Sequence, residues 1–396
     1  MSTDPDQPRA LLISPEAPYP LDGGGPLRTA SLMQYLGERY ALDMVIFRHP
    51  EQDVTSYLPS GLIREVNTIT LRSHRTNVAA RLTRNGERLL RHTPPLVDRF
   101  SGYESEVLQV LQGRRYDVSV VEHFWAASYL PIVRKFSKLT ILDLHNIESI
   151  WHEGCARIAR FPRSWAHRRF ARAAKRLERS WLANCDLLLT PSAADLQRVR
   201  VRGIRVPVKI FPNSIPFRPI PYKPPDYSVA FAGNLEYEPN QVGVKFFLDS
   251  VWPLLAARFP TLKFRIVGKN AHAIAAFTQG KPRVEVTGPV EDAFGCLAAS
   301  EVCVAPLLSG SGTRLKIIEY WAARKPVVST RIGAEGLNAR DGDDVLLADN
   351  PAAFAAAVER ILTDEHLRWR LSEFGRARYE RDFTWKAAWL TISDNF

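Results

Sequence analysis

A rhythm in the sequence constrains the fold more than any single residue. A short apolar run ends in a glycine or a polar residue, and a helical period follows. Residues 10–14 (ALLIS), 44–47, 66–71, 117–121, 139–144, 185–190 and 208–211 form one series of such runs. Residues 227–232, 264–267, 284–286, 302–306, 327–330 and 345–347 form a second. Near-continuous apolar runs of this length suit strands buried on both faces, and alternation with helices predicts parallel sheets. Between the series, residues 216–225 (PFRPIPYKPP) carry five prolines and no periodicity, the composition of a semi-rigid spacer. At 396 residues, two α/β domains are expected.

Hydrophobic residues make up 45% and charged residues 24%, which fits an ordinary globular chain. The first ten residues, MSTDPDQPRA, are polar and do not read as a signal peptide. No apolar run reaches the ~20 residues of a membrane span. The four cysteines, Cys155, Cys185, Cys296 and Cys303, form no C-x-x-C pair, so reduced thiols and a cytoplasmic setting are expected. The net charge of +11 calls for anionic partners. No nucleic-acid module is recognisable, so phosphorylated ligands and an anionic membrane surface are the classes left.

The chemistry concentrates in a few stretches. Residues 309–313 (SGSGT) are a small flexible loop opening a helix predicted over 314–323. Such an opening presents free amides and the positive end of a dipole to phosphate. Arg314 and Lys316 fall in the expected first turn, where cations are disfavoured unless an anion joins them, and Glu319 lies one turn on. Earlier, Gly23, Gly24 and Gly25 stand between a strand and a helix predicted over 28–36, again an anion cradle, although a sharp loop alone would also use three glycines. His145 follows the strand at 139–144, at the strand end where open α/β sheets bind ligands. Two helices carry arginine stripes: 78–92, with Arg81, Arg84, Arg88 and Arg91, and the helix whose seam is Phe170, Ala174, Leu177 and Trp181. Its other faces hold Arg168, Arg169, Arg172, Lys175, Arg176 and Arg179, a solvated face or a surface for anionic lipid.

Taken in order, Phe231-Ala232-Gly233-Asn234, residues 264–268 (FRIVG), 311–319, 325–330 and Gly333-Ala334-Glu335-Gly336 resemble the retaining glycosyltransferases of family four. The resemblance implies the GT-B fold, two facing Rossmann-like domains with an interdomain cleft. It implies an acceptor-side domain over 1–217, a nucleotide-sugar domain over 218–380, and a C-terminal helix over 381–396 returning to the first domain, with Trp385 and Trp389 as anchors. Glu319 matches the family's ribose-binding glutamate, and His145 a histidine facing the donor sugar; these two are the expected catalytic residues. Gly24, Gly25, Asn234, Gly268, Ser311, Gly312, Thr313, Arg314, Lys316 and Glu319 are the expected donor-binding set. Ser311 stands where the family has its first glutamate. Asn234 replaces the family's arginine, and Asn240-Gln241 fall near its lysine, so Arg314 and Lys316 are expected to supply the missing positive charge. The family's chemistry is metal-independent, so no metal or cofactor is expected, although Asp143, His145, Glu148 and His152 are neighbours in sequence. The implied function is transfer of a sugar from a nucleotide sugar, with retention, to a lipid-linked or saccharide acceptor in glycan, polysaccharide or glycolipid synthesis. Peripheral docking on the inner face of the plasma membrane goes with it. The alternatives are a non-hydrolysing nucleotide-sugar epimerase and a lapsed binding or docking protein.

Overall fold

The structure is a computed structural model that describes residues 7–21, 23–75, 77–220, 222–309 and 313–395. The chain packs as two compact units. One runs to Asn213 and takes in the residues from Trp389 onward; the other is Ser214–Ala388.

The first unit is built on seven strands: β1 (Arg9–Ser14), β2 (Ala41–Arg48), β3 (Glu65–Thr70), β4 (Tyr116–Glu122), β5 (Ser137–Asp143), β6 (Leu187–Thr190) and β7 (Val208–Ile210). They form one sheet in the order β3-β2-β1-β4-β5-β6-β7, and every neighbouring pair is parallel. Strand order reverses between β1 and β4, so the loops after these two strands leave in opposite directions and open a crevice at their carboxyl ends. Leu11, Ile13, Val45, Val121, Leu142 and Leu188 are fully buried and tie the sheet to its core. Phe47 packs against Phe100, Tyr103 and Tyr129 on that side.

Helix α1 (Gly24–Gly37) starts four residues earlier than the sequence suggests. Gly24 and Gly25 lie inside its first turn rather than in a loop before it, and Gly23 caps it at φ +115°, a conformation that favours glycine. Leu27, Leu32 and Leu36 face the core as expected. Trp389 belongs to this unit and donates from Nε1 to the Ser31 carbonyl at 3.1 Å. Helix α2 (Val78–Leu90) is capped by Asn77, whose side chain accepts from the Ala80 amide. Its leucines do not form a core seam: Leu82 is 67% exposed and Leu90 82%, while Arg88 is buried against Asp98. Helix α3 (Arg163–Trp181) buries Phe170 and Ala174 and leaves Arg168, Arg172, Lys175, Arg176 and Arg179 in solvent.

The second unit repeats the plan with β8 (Asp226–Ala232), β9 (Lys263–Val267), β10 (Val284–Gly288), β11 (Ser300–Ala305), β12 (Val327–Ser329) and β13 (Leu346–Leu347). All are parallel, in the order β10-β9-β8-β11-β12-β13, so this switch point lies between β8 and β11. Phe231, Phe247, Phe264 and Phe354 centre its core. Helix α4 (Leu315–Ala322) follows β11. Among the described residues, no helix is long and apolar enough to cross a membrane.

Candidate functional site

In the first unit, four ionisable side chains converge at the crevice between β1 and β4. Asp143 ends β5 and is fully buried. Arg28, on the inward face of α1, grips it with both arms, Nε to Oδ2 at 2.7 Å and Nη2 to Oδ1 at 2.5 Å. The same guanidinium donates to the Phe211 carbonyl and to Asn213 Oδ1, which ties the loop after β7 to α1. His145 Nε2 lies 3.4 Å from Asp143 and 3.6 Å from Glu122, the last residue of β4. Burial alone would raise the Asp143 carboxyl, but Arg28 and His145 outweigh it and hold it below the usual carboxylate range. Burial alone would lower His145, yet the two carboxylates raise its pKa above the ordinary histidine value. Its ring lies against His123, centroids 3.5 Å apart and tilted by 33°, and burial and His145 keep His123 neutral. Gly25 faces Glu16, two residues past β1: a methyl at Gly25 would lie 3.3 Å from the Glu16 carboxylate.

Glu122, Asp143 and His145 offer ligand atoms within 4.8 Å of one another. Arg28 already engages both Asp143 oxygens, so Asp143 shares its charge between the guanidinium and the His145 ring. Glu148 and His152, the other members of the sequence cluster, pair with each other at 3.4 Å.

In the second unit, the ends of β8 and β9 and the start of α4 meet at the switch point. Gly233 and Gly268 are forced by close approach: a methyl at Gly268 would overlap the Gly233 carbonyl oxygen, and one at Gly233 would lie 2.8 Å from Asn240 Nδ2 and 3.2 Å from Lys316 Nζ. Asn234 staples this loop, since its Oδ1 accepts from the Glu236 amide and from Asn270, and its carbonyl accepts from Asn240 Nδ2. Lys316 donates to Asn240 Oδ1 at 2.7 Å and lies over the Phe231 ring at 3.9 Å. An ammonium from α4 therefore stands beside Asn240, where the resemblance expects a lysine from the β8 loop.

Arg314 is the N-cap of α4 rather than a first-turn residue, and it is buried. Burial depresses its guanidinium, with Tyr237 and Glu335 opposing. Burial, and then Arg314, push the Lys316 ammonium well below the ordinary lysine value, with Glu319 opposing. Burial raises the Glu319 carboxyl despite Arg218 and Lys316. Two cations held together with this little solvent suit a ligand of more than one negative charge. The Thr313 hydroxyl is buried with no hydrogen-bond partner among the described residues. Ser311 and Gly312 lie outside the described residues.

The sequence-derived set thus falls into two groups, one per unit: Gly24, Gly25 and His145 in the first, and Asn234, Gly268, Thr313, Arg314, Lys316 and Glu319 in the second. Sequence reasoning missed Arg28 and Glu122. The available signal was a lone arginine on the apolar face of α1 and lone acids ending apolar strands. It also missed Tyr320, buried next to Glu319, whose hydroxyl accepts from the Ala232 amide at 2.8 Å and donates to the Val304 carbonyl at 3.3 Å, tying α4 to β8 and β11.

Comparison with known proteins places these features. Residues 226–364 match the family Glycosyl transferases group 1, so the second unit carries a domain of that kind. The chain is 34% identical over 140 residues to a lipopolysaccharide core biosynthesis glycosyltransferase of Rhizobium meliloti, covering 33% of this chain and 40% of that one. Sucrose-phosphate synthase from Thermosynechococcus elongatus superposes with a TM-score of 0.70 at 19% identity, covering 98% of both chains. HepE of Anabaena, in complex with UDP and glucose, superposes at 0.66 with 15% identity, covering 98% of this chain and 99% of that one. The fold is the α/β GT-B class with two Rossmann-like domains.

Proposed function

We infer that this chain is a glycosyltransferase that moves a sugar from a nucleotide sugar to a saccharide or lipid-linked acceptor, in the synthesis of a polysaccharide or glycolipid. The observation that carries the reading is the pair Arg314 and Lys316 with Glu319, set at the β8/β11 switch point inside the segment that matches the glycosyltransferase family. Arg314, Lys316 and the first amides of α4 hold the diphosphate and stabilise the charge that grows on it as the sugar leaves. The Glu319 carboxylate accepts hydrogen bonds from the vicinal hydroxyls of the ribose. In the first unit, His145, fixed between Asp143 and Glu122, donates a hydrogen bond to a sugar oxygen. Transfer goes with retention, and the departing phosphate oxygen takes the acceptor's proton. The protein then has only to position its substrates and stabilise charge.

The reading includes reversible attachment to an anionic membrane surface. Its support is α2, where exposed Val78, Leu82 and Leu90 accompany Arg81, Arg84 and Arg91.

Thermal shift across UDP-, GDP- and ADP-sugars tests the donor site. One class should stabilise the protein by about 2.7 kcal/mol at a hundredfold excess over Kd. Lys316→Ala should weaken that donor by about 1.5–3 kcal/mol, the range for a charge-assisted hydrogen bond. With its pKa depressed, the Lys316 amine takes up a proton when the diphosphate binds, so affinity should fall as pH rises, beginning below the ordinary lysine value of about 10.4, and Lys316→Ala should flatten that fall. Unchanged donor binding and turnover in Lys316→Ala and Glu319→Ala would sink the assignment. Isomer exchange of the donor without any acceptor, followed by NMR, would instead identify an epimerase.

A further inference from the structure

The first unit holds a second concentration of positive charge, apart from the His145 crevice. The chain leaving β3 contributes Arg72, His74 and Arg75, α2 contributes Arg84 and Arg91, and the segment before Tyr103 contributes Arg99. They line a pocket of about 460 Å³ at the carboxyl end of β3, the same sheet edge as the β1/β4 switch point.

Three of these guanidinium groups, those of Arg72, Arg84 and Arg99, are held by neutral partners. Arg72 donates from Nη2 to the Gly102 carbonyl at 2.9 Å and lies over the Tyr103 ring at 5.1 Å. The Tyr103 hydroxyl in turn accepts from the Arg72 amide at 2.8 Å. Arg99 donates to the Arg72 carbonyl at 2.7 Å, and Arg84 to the Arg75 carbonyl at 3.2 Å. Two acids also line the pocket, Asp98 and Glu87; Asp98 pairs with Arg88 and Arg91, and Glu87 with Arg91, so Arg91 is the basin cation they balance. Arg72, Arg75, Arg84 and Arg99 have no ion-pair partner among the described residues. His74 feels the result: after burial, Arg99, Arg84 and Arg88 lower its pKa, with Asp98 opposing.

Several arginines fixed by carbonyl groups and an aromatic face, with their charge left over, form a preorganised receptor for an oxyanion with several oxygens. A fork of guanidinium donors matches phosphate in particular. We propose that this basin binds the phosphate group of a phosphate-bearing acceptor. Calling the ligand an acceptor rests on the glycosyltransferase reading; the anion site does not. A sugar phosphate and a phospholipid headgroup share the recognising chemistry.

The test is histidine-selective NMR on the full chain, following the His74 ring. Glucose 6-phosphate should shift it with saturation, and glucose should not. Vesicles containing phosphatidic acid, compared with phosphatidylglycerol vesicles of equal charge, read the lipid-borne source. Response to the soluble probe assigns a soluble phosphate; response only to phosphatidic acid assigns a lipid one. In Arg72→Gln/Arg99→Gln, the apparent Kd should rise about tenfold or more, and the single change Arg84→Gln should give a smaller rise. Nucleoside diphosphate binding, read in parallel, should not change and reports that the variants are folded. A silent His74, an equal response in the double variant, or an equal response to both vesicle types with none to glucose 6-phosphate overturns the proposal. A saturating His74 response with no donor binding anywhere in the nucleotide-sugar panel overturns the glycosyltransferase reading instead.

Discussion

Arg28 and Asp143 stand or fall together. Removing the guanidinium strands a buried carboxylate, so Arg28→Ala should cost about 3–5 kcal/mol in urea unfolding, far more than any exposed arginine of α3. His145 supplies a pH signature. Its pKa in the folded protein lies above its unfolded value, so its favourable pairing with Asp143 and Glu122 is fully present below the unfolded value of about 6.5. That contribution is lost as pH rises through the folded value. His145→Gln never has it. The stability gap between wild type and variant, read from unfolding curves, should therefore shrink as pH climbs above about 6.5. A gap that stays constant or widens would rule out the imidazolium pairing.

Among the elements, α4 is the one whose placement matters most, and Tyr320 sets it. Tyr320→Phe removes the acceptor for the buried Ala232 amide, at a cost of about 1–3 kcal/mol. It should also weaken donor binding without touching donor, because the Gly233-Asn234 turn begins at that amide; equilibrium titration of the variant checks both effects. The strands were legible because each is an apolar run of its own, and α3 and α4 because each has a helical period. The start of α1 was not, because Gly24 and Gly25 look like loop residues until Leu27 packs behind them. The fate of α2 was not either: Leu82 and Leu89 share a stripe that a core helix would bury, and only tertiary packing decides that Arg88 turns inward while Leu82 faces water. Of the candidate site, Arg314, Lys316 and Glu319 could be read because one helix carries them at a fixed spacing. Arg28 with Asp143, 115 residues apart, could not be read, because no local pattern links them.

Across the whole molecule, a net charge of +11 is an average over very different surfaces. On α2 the arginines sit beside exposed Val78, Leu82 and Leu90, so vesicle binding should combine an electrostatic part with an apolar one. Co-sedimentation with anionic vesicles should fall steeply with salt, and Leu82→Ser/Leu90→Ser should lower it at every salt concentration. Absence of sedimentation even at low salt would remove the membrane from the picture. The ammonium beside Asn240 is supplied by Lys316 from α4, yet donor and acceptor of that contact both belong to the second unit. Grafting only the 233–241 loop from a relative that carries its own lysine there would crowd two ammonium groups into one site and strip Lys316 of its amide partner. A chimera that exchanges the second unit whole keeps the charge arrangement intact, so the unit and not the loop is the piece to swap when donor preference is to be moved between proteins.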